Sequence, residues 1–118
     1  MNLDREIERD YKKQAFLRDD GKCRYCELDF LFSLSLFWSY QMDHVIAKSE
    51  LGADTLENVV TCCASCNGAL SRAGHLKTFE DRKNYVLSQI PNRREIYELW
   101  KQRLRSPAVV PNDDVGTA

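Results

Sequence analysis

The sequence predicts an α+β fold: two short strands and a helix gathered between two cysteine pairs, with one helix before this core and two after it. Three observations predict it. Cys23-Arg24-Tyr25-Cys26 and Cys63-Ala64-Ser65-Cys66 are matching Cys-x-x-Cys pairs separated by 36 residues. Between them lie two β-favouring segments, Tyr40 to Ile46 and Val59 to Cys62, joined across the turn residues Gly52-Ala53-Asp54-Thr55. Outside them, apolar residues recur at helical spacing.

Taken in order, Leu3, Ile7, Tyr11 and Ala15 stand at steps of four and predict a helix over 3–18, closed by Asp20-Gly21. Residues 27–39 are apolar without a clear period. Tyr40 to Ile46 alternates enough to bury one face, and the β-branched run Val59-Val60-Thr61 reads as extended. A helix is expected from about Cys66 to Arg72. Thr78-Phe79-Glu80-Asp81 opens another, ending before Pro91, with Phe79, Val86, Leu87 and Ile90 on its inner side. Asn92-Arg93-Arg94-Glu95 has the form of a capping box and starts a last helix, whose Ile96, Leu99, Trp100 and Leu104 form an apolar stripe. These elements make one domain, 1–105, with its two C-terminal helices over 78–105. Residues 106–118 hold two prolines and a glycine and read as a flexible tail.

Composition narrows the class. At 118 residues, 43% hydrophobic and 30% charged, the chain has the make-up of a single soluble domain. No apolar run approaches the roughly 20 residues that span a bilayer, and the charged N-terminus does not resemble a secretory signal. A cytoplasmic location is the default expectation. The net charge of −1 conceals an uneven distribution. Residues 23–66 carry two basic against six acidic groups, and residues 67–105 carry nine basic against four acidic. An acidic middle beside a basic flank suits a cation site next to a phosphate-binding surface, although a solvated helical face explains the flank equally well.

Five cysteines in a reducing compartment point to metal rather than to disulfides. Each Cys-x-x-Cys turn presents two thiolates to one ion, so Cys23, Cys26, Cys63 and Cys66 complete a tetrahedral four-sulfur shell for zinc. Such a shell leaves no open coordination position, so the zinc is structural. Cys62 breaks the two-residue spacing and reads as a small buried hydrophobe.

Between and after the cysteine pairs stand Asp43-His44-Val45-Ile46, then Gly52-Ala53-Asp54-Thr55, then Asn58-Val59-Val60, then Asn67 directly after Cys66. This order resembles the HNH endonuclease family over about residues 14–72. The resemblance implies a ββα-metal, treble-clef-like core stapled by zinc, and an activity: metal-dependent hydrolysis of DNA phosphodiester bonds. It implies His44 as general base, a role that suits an imidazole near neutral pH. It implies Asp43 and Asn67 as oxygen ligands of a catalytic Mg²⁺ or Mn²⁺. It implies that Asn58 braces the loop and orients the base.

Two departures from the family pattern stand out. The last motif position is Asn67 rather than histidine. Where members commonly carry a lysine three or four residues further on, this chain has Leu70 and Ser71, with Arg72 next. Phosphate contacts are therefore expected from Arg72, Lys77, Arg82 and Lys83. His75 reads as a solvent-facing loop residue. The aromatic stretch Phe30 to Tyr40 reads chiefly as local core, with a homodimer face or a substrate-contacting loop as alternatives. The competing function is a non-catalytic, zinc-stabilised module that binds nucleic acid or protein.

Overall fold

Asp10 divides the N-terminal helix in two. The computed structural model describes residues 1–105, and in it α1 (Leu3–Arg9) and α2 (Tyr11–Arg18) replace the single helix expected over 3–18. Asp10 has an extended backbone, and its carboxylate accepts a hydrogen bond from the Lys12 amide at 2.8 Å. A short acidic side chain that can cap a helix start competes with continuing the helix through it.

Two strands form the sheet. β1 (Gln41–His44) pairs antiparallel with β2 (Val59–Cys62), placing Asp43 opposite Val60 and His44 opposite Val59. All of β2 is buried, whereas β1 buries Asp43 and leaves Gln41 exposed. Between α2 and β1, the uncharacterised stretch contains one helical turn, α3 (Leu34–Phe37), capped by the Ser33 hydroxyl. Phe30 is fully buried from this stretch, while Phe32, Leu34 and Trp38 stay exposed.

The helix α4 (Ala64–Ala73) begins at the second cysteine pair, with the Cys63 sulfur accepting from the Cys66 amide. It ends at Gly74, whose φ of +80° is the left-handed conformation glycine adopts without steric cost. The two expected C-terminal helices are one, α5 (Phe79–Arg105), which continues through Pro91. A proline inside a helix costs about 3 kcal/mol. Here good helix formers on both sides (Leu87, Gln89, Arg93, Glu95) outweigh the break, and Asn92 lies inside the helix rather than at a cap.

The chain gathers into two compact units, Met1–Leu87 and a second from Ser88 onward. The core of the first contains Tyr25, Phe30, Val60, Leu70 and Val86 around four of the cysteines. In the second, Ile96, Leu99, Trp100 and Leu104 are exposed. The expected tail, 106–118, lies outside the described residues.

One buried carboxylate ties α2 to the sheet and to the first cysteine pair. Asp19 accepts hydrogen bonds from Arg18 at 2.7 Å, from Arg24 at 2.8 Å and from the Thr61 amide at 2.9 Å. Burial pushes its carboxyl up, but these donors outweigh burial and hold it below the usual carboxylate range. Arg18 also donates to the carbonyls of Leu56 and Val59, so the same cluster fixes the entry to β2.

Candidate active site and zinc knuckles

The first cysteine pair sits on a tight turn closed by local backbone bonds. The Cys23 amide donates to the Leu28 carbonyl and the Glu27 amide to the Cys23 carbonyl, with Glu27 at a φ of +66°. The second pair lies at the end of β2 and the start of α4. Folding brings the sulfurs of Cys23, Cys26, Cys63 and Cys66 within 4.8 Å of one another. A tetrahedral zinc about 2.3 Å from each thiolate requires sulfurs roughly 3.8 Å apart. The Cys26 and Cys63 sulfurs are 3.7 Å apart, so the set fits a structural zinc. Cys62 is buried outside it, its thiol donating to the Cys63 carbonyl at 3.3 Å.

Next to this staple is an open cleft of about 480 Å³, lined by Asp43, His44, Lys48, Asn67, Ser71 and Arg82 among others. His44 is the last residue of β1, where the chain leaves the sheet. That position lets its ring reach the same cleft as Asp43, although adjacent strand residues otherwise face opposite ways. The His44 Nε2 lies 2.8 Å from Asp54 Oδ1, and Lys48 Nζ lies 3.0 Å from Asp54 Oδ2. The Lys48 hydrogen bond, followed by that of His44, holds the Asp54 carboxyl below the usual range.

Asp54 reaches His44 because the intervening loop is folded back on itself. Asn58 Oδ1 accepts from the Ile46 amide at 2.9 Å, and its Nδ2 donates to the carbonyls of Ile46 and Ala53, both at 3.0 Å. One side chain thus fastens both ends of the loop. Gly52 packs so tightly inside it that a Cβ would lie 1.7 Å from the Ile46 carbonyl oxygen. No other residue fits there without rebuilding the loop.

Asp43 is buried, and its partners were not apparent from the spacing of the motifs. Arg82 Nη2 donates to both of its carboxylate oxygens at 2.8 Å, and the Tyr25 hydroxyl donates to Oδ2 at 2.6 Å. Arg82 also donates to the Leu76 carbonyl. Burial, and then the Asp43 charge, push the Tyr25 phenol up, so it stays a hydrogen-bond donor. On α4, Asn67 Nδ2 donates to Gln41 Oε1 at 2.7 Å, leaving its side-chain oxygen without a hydrogen bond among the described residues.

The four cations expected to face phosphate differ in their surroundings. Arg82 is buried and paired with Asp43. Arg72 is exposed near the end of α4. Lys77 is exposed but lies 2.6 Å from Glu50, and Lys83 is half-buried over the Phe79 ring. His75 is exposed and, among the described residues, bonds its own loop at the Ala73 carbonyl. Lys48, which lines the cleft, carries no signal in the sequence, and Asp54, which flanks it, is marked there only as part of the turn Gly52-Ala53-Asp54-Thr55, with no role given.

Residues 23–72 match the family model described as HNH endonuclease. That stretch, under half of the chain, is similar to an HNH endonuclease domain. The match begins at the first zinc-knuckle cysteine and ends on α4, so it contains both strands, the folded-back loop and Asn67. Arg82 lies outside it. The similarity points in general to a nuclease, and so to a nucleic-acid substrate. No curated protein and no solved structure matches the chain. No helix among the described residues is long and apolar enough to cross a membrane.

Proposed function

We propose that the chain is a metal-dependent endonuclease of the HNH type hydrolysing DNA phosphodiester bonds, with His44 as the general base. The observation that carries this reading is the His44–Asp54 contact at the mouth of a cleft that also takes in Asp43 and Asn67. An ionised carboxylate only accepts hydrogen bonds, so Asp54 fixes the proton of the neutral ring on Nε2. Nδ1 is then the free lone pair that takes a proton from the attacking water. Asn58 acts through the loop: it holds Asp54, and Asp54 holds the ring. Arg72, Lys77, Lys83 and Lys48 supply cations for the nucleic-acid backbone, and Arg82 positions Asp43 rather than touching phosphate.

Asp43 and Asn67 would hold Mg²⁺ or Mn²⁺. Both offer hard oxygen donors from facing elements, and among the described residues Asp43 Oδ1 takes a single hydrogen-bond donor, Arg82 Nη2. A bound cation would supply charge stabilisation for the scissile phosphate and the departing 3′-oxygen. Because Arg82 already neutralises Asp43, the pair offers no net negative charge, and weak, millimolar-type cation binding is expected. That same ion pair favours one other reading, a zinc-stabilised binding module in which Arg82 replaces the cation.

Incubation of zinc-loaded protein with supercoiled plasmid, with and without added Mg²⁺, separates the two. Cleavage that requires Mg²⁺ and falls by about 10²-fold or more in His44→Ala supports the nuclease. Equal cutting by both proteins assigns the activity to another site or a contaminant, and no cutting of either the plasmid or a single-stranded circle rejects the nuclease in favour of the binding module.

A further inference from the structure

A second cleft also reaches His44. It has a volume of about 800 Å³ and is lined by Trp38, Tyr40 and His44 and by two lysines, Lys12 and Lys13, against two acids, Glu6 and Asp10, among others. That volume lies within the roughly 300–1,000 Å³ of sites that take compact organic ligands. Trp38 is 77% exposed, a large apolar surface left in water at the wall of a cleft that reaches the general base. Its ring is nevertheless held in place. Phe37 meets it edge-on at 5.2 Å, and Phe37 in turn packs against Phe16 at 5.9 Å. Phe16 stacks on Tyr40 at 4.2 Å, so the exposed indole ends an aromatic ladder rooted beside the core. The Trp38 amide also donates to the Leu34 carbonyl at the end of α3, fixing the backbone beneath it. Lys13 is paired with Glu6 at 3.0 Å, and among the described residues Lys12 makes no ion pair.

We propose that Trp38 is a stacking platform for an unpaired DNA base next to the scissile phosphate. The site therefore selects single-stranded or locally unpaired DNA over continuous duplex. The chemistry is that of a flat π-face presented to solvent in a cleft that also holds Lys12: a base stacks on the indole while Lys12, the lysine there without an ion pair among the described residues, meets a backbone phosphate. A base still paired within a duplex cannot offer its face to Trp38 without first leaving the stack. Because His44 lines both clefts, a base seated on Trp38 places its neighbouring phosphate towards the imidazole.

The inference rests on the nuclease reading for its biological sense, but its test does not require cleavage. The full chain carrying Trp100→Phe, so that Trp38 is the remaining tryptophan, is titrated without Mg²⁺ with a single-stranded oligonucleotide and with the matching hairpin duplex. The single strand is expected to quench Trp38 fluorescence and to bind more tightly than the duplex. Trp38→Ala should lose about tenfold in single-strand affinity, with Trp38→Phe recovering most of it and duplex binding unchanged. Zinc content confirms that each variant is folded. Equal single-strand affinity in the parent and Trp38→Ala, or equal losses for strand and duplex, overturns the proposal. A dimer that Trp38→Ala converts to monomer without changing affinity also overturns it, assigning the face to a second copy. Quenching by a protein that cuts no DNA would sink the nuclease reading and leave this one standing.

Discussion

Arg82 Nη2 lies 2.8 Å from both carboxylate oxygens of Asp43, joining a helix outside the HNH match to the central residue of its first strand. Both groups are largely out of water, so the pair has paid a desolvation cost that only mutual contact offsets.

Removing Arg82 should therefore be a stability mutation. Arg82→Ala leaves a buried, uncompensated carboxylate, at a cost of about 3–5 kcal/mol. A surface arginine would cost no more than about 0.5 kcal/mol. Thermal melts of the zinc-loaded variant distinguish the two directly. A melting temperature within a degree or two of the parent would put Arg82 back on the surface.

The zinc should respond to single cysteines in a fixed pattern. Purified protein is expected to carry one zinc per chain, and Cys66→Ser should lose both the metal and much of the cooperative unfolding transition. Cys62→Ser should keep the zinc, because its sulfur lies outside the four-sulfur set. Elemental analysis beside circular dichroism reads both. Loss of zinc from Cys62→Ser would mean that the ligand set is misassigned.

Asp54 should matter to turnover without mattering to binding. Asp54→Asn keeps the shape but can present an amide donor to His44, so the ring proton is no longer fixed on Nε2. A fall of about 10–100-fold in kcat with little change in KM is expected, in the range found for residues that orient a reacting group. Long-range ¹⁵N spectra of the His44 ring should show the tautomer mixture directly. An unaltered kcat would remove Asp54 from the mechanism and leave it a loop contact.

Asp19 should set part of the acid stability. Its folded-state pKa is depressed, so its stabilising contribution is fully present above the unfolded value of about 3.9 and is lost as pH falls through the folded value. Thiolate protonation releases zinc over an overlapping range. The informative quantity is therefore the stability gap between the parent and Asp19→Asn, measured with excess zinc. That gap should be constant from pH 7 to about 5 and should close below about 3.9. A gap that persists unchanged to lower pH would show that Asp19 acts through shape rather than charge.

The parts of this protein that were legible in its sequence are those fixed by local chemistry. Two Cys-x-x-Cys turns specify a zinc shell whatever lies between them, because each turn already brings two sulfurs to one ion. The β-branched run at Val59–Thr61 and the motif around Asp43 and His44 marked the two strands, since side-chain period and branching act over neighbouring residues. Local signals also misled. The steps of four from Leu3 to Ala15 pass over Asp10, whose capping bond splits the helix, and the capping-box pattern at Asn92–Glu95 lost to helix formers on either side of Pro91. Tertiary structure alone decided the partners of the site. Asp54 meets His44 because Asn58 and the cramped Gly52 fold the loop back, and Arg82 meets Asp43 across 39 residues of chain. No spacing encodes such contacts. They follow from burying a carboxylate in a low-dielectric interior, where the chain must supply a charge and hydrogen-bond donors from whichever segment packs against it.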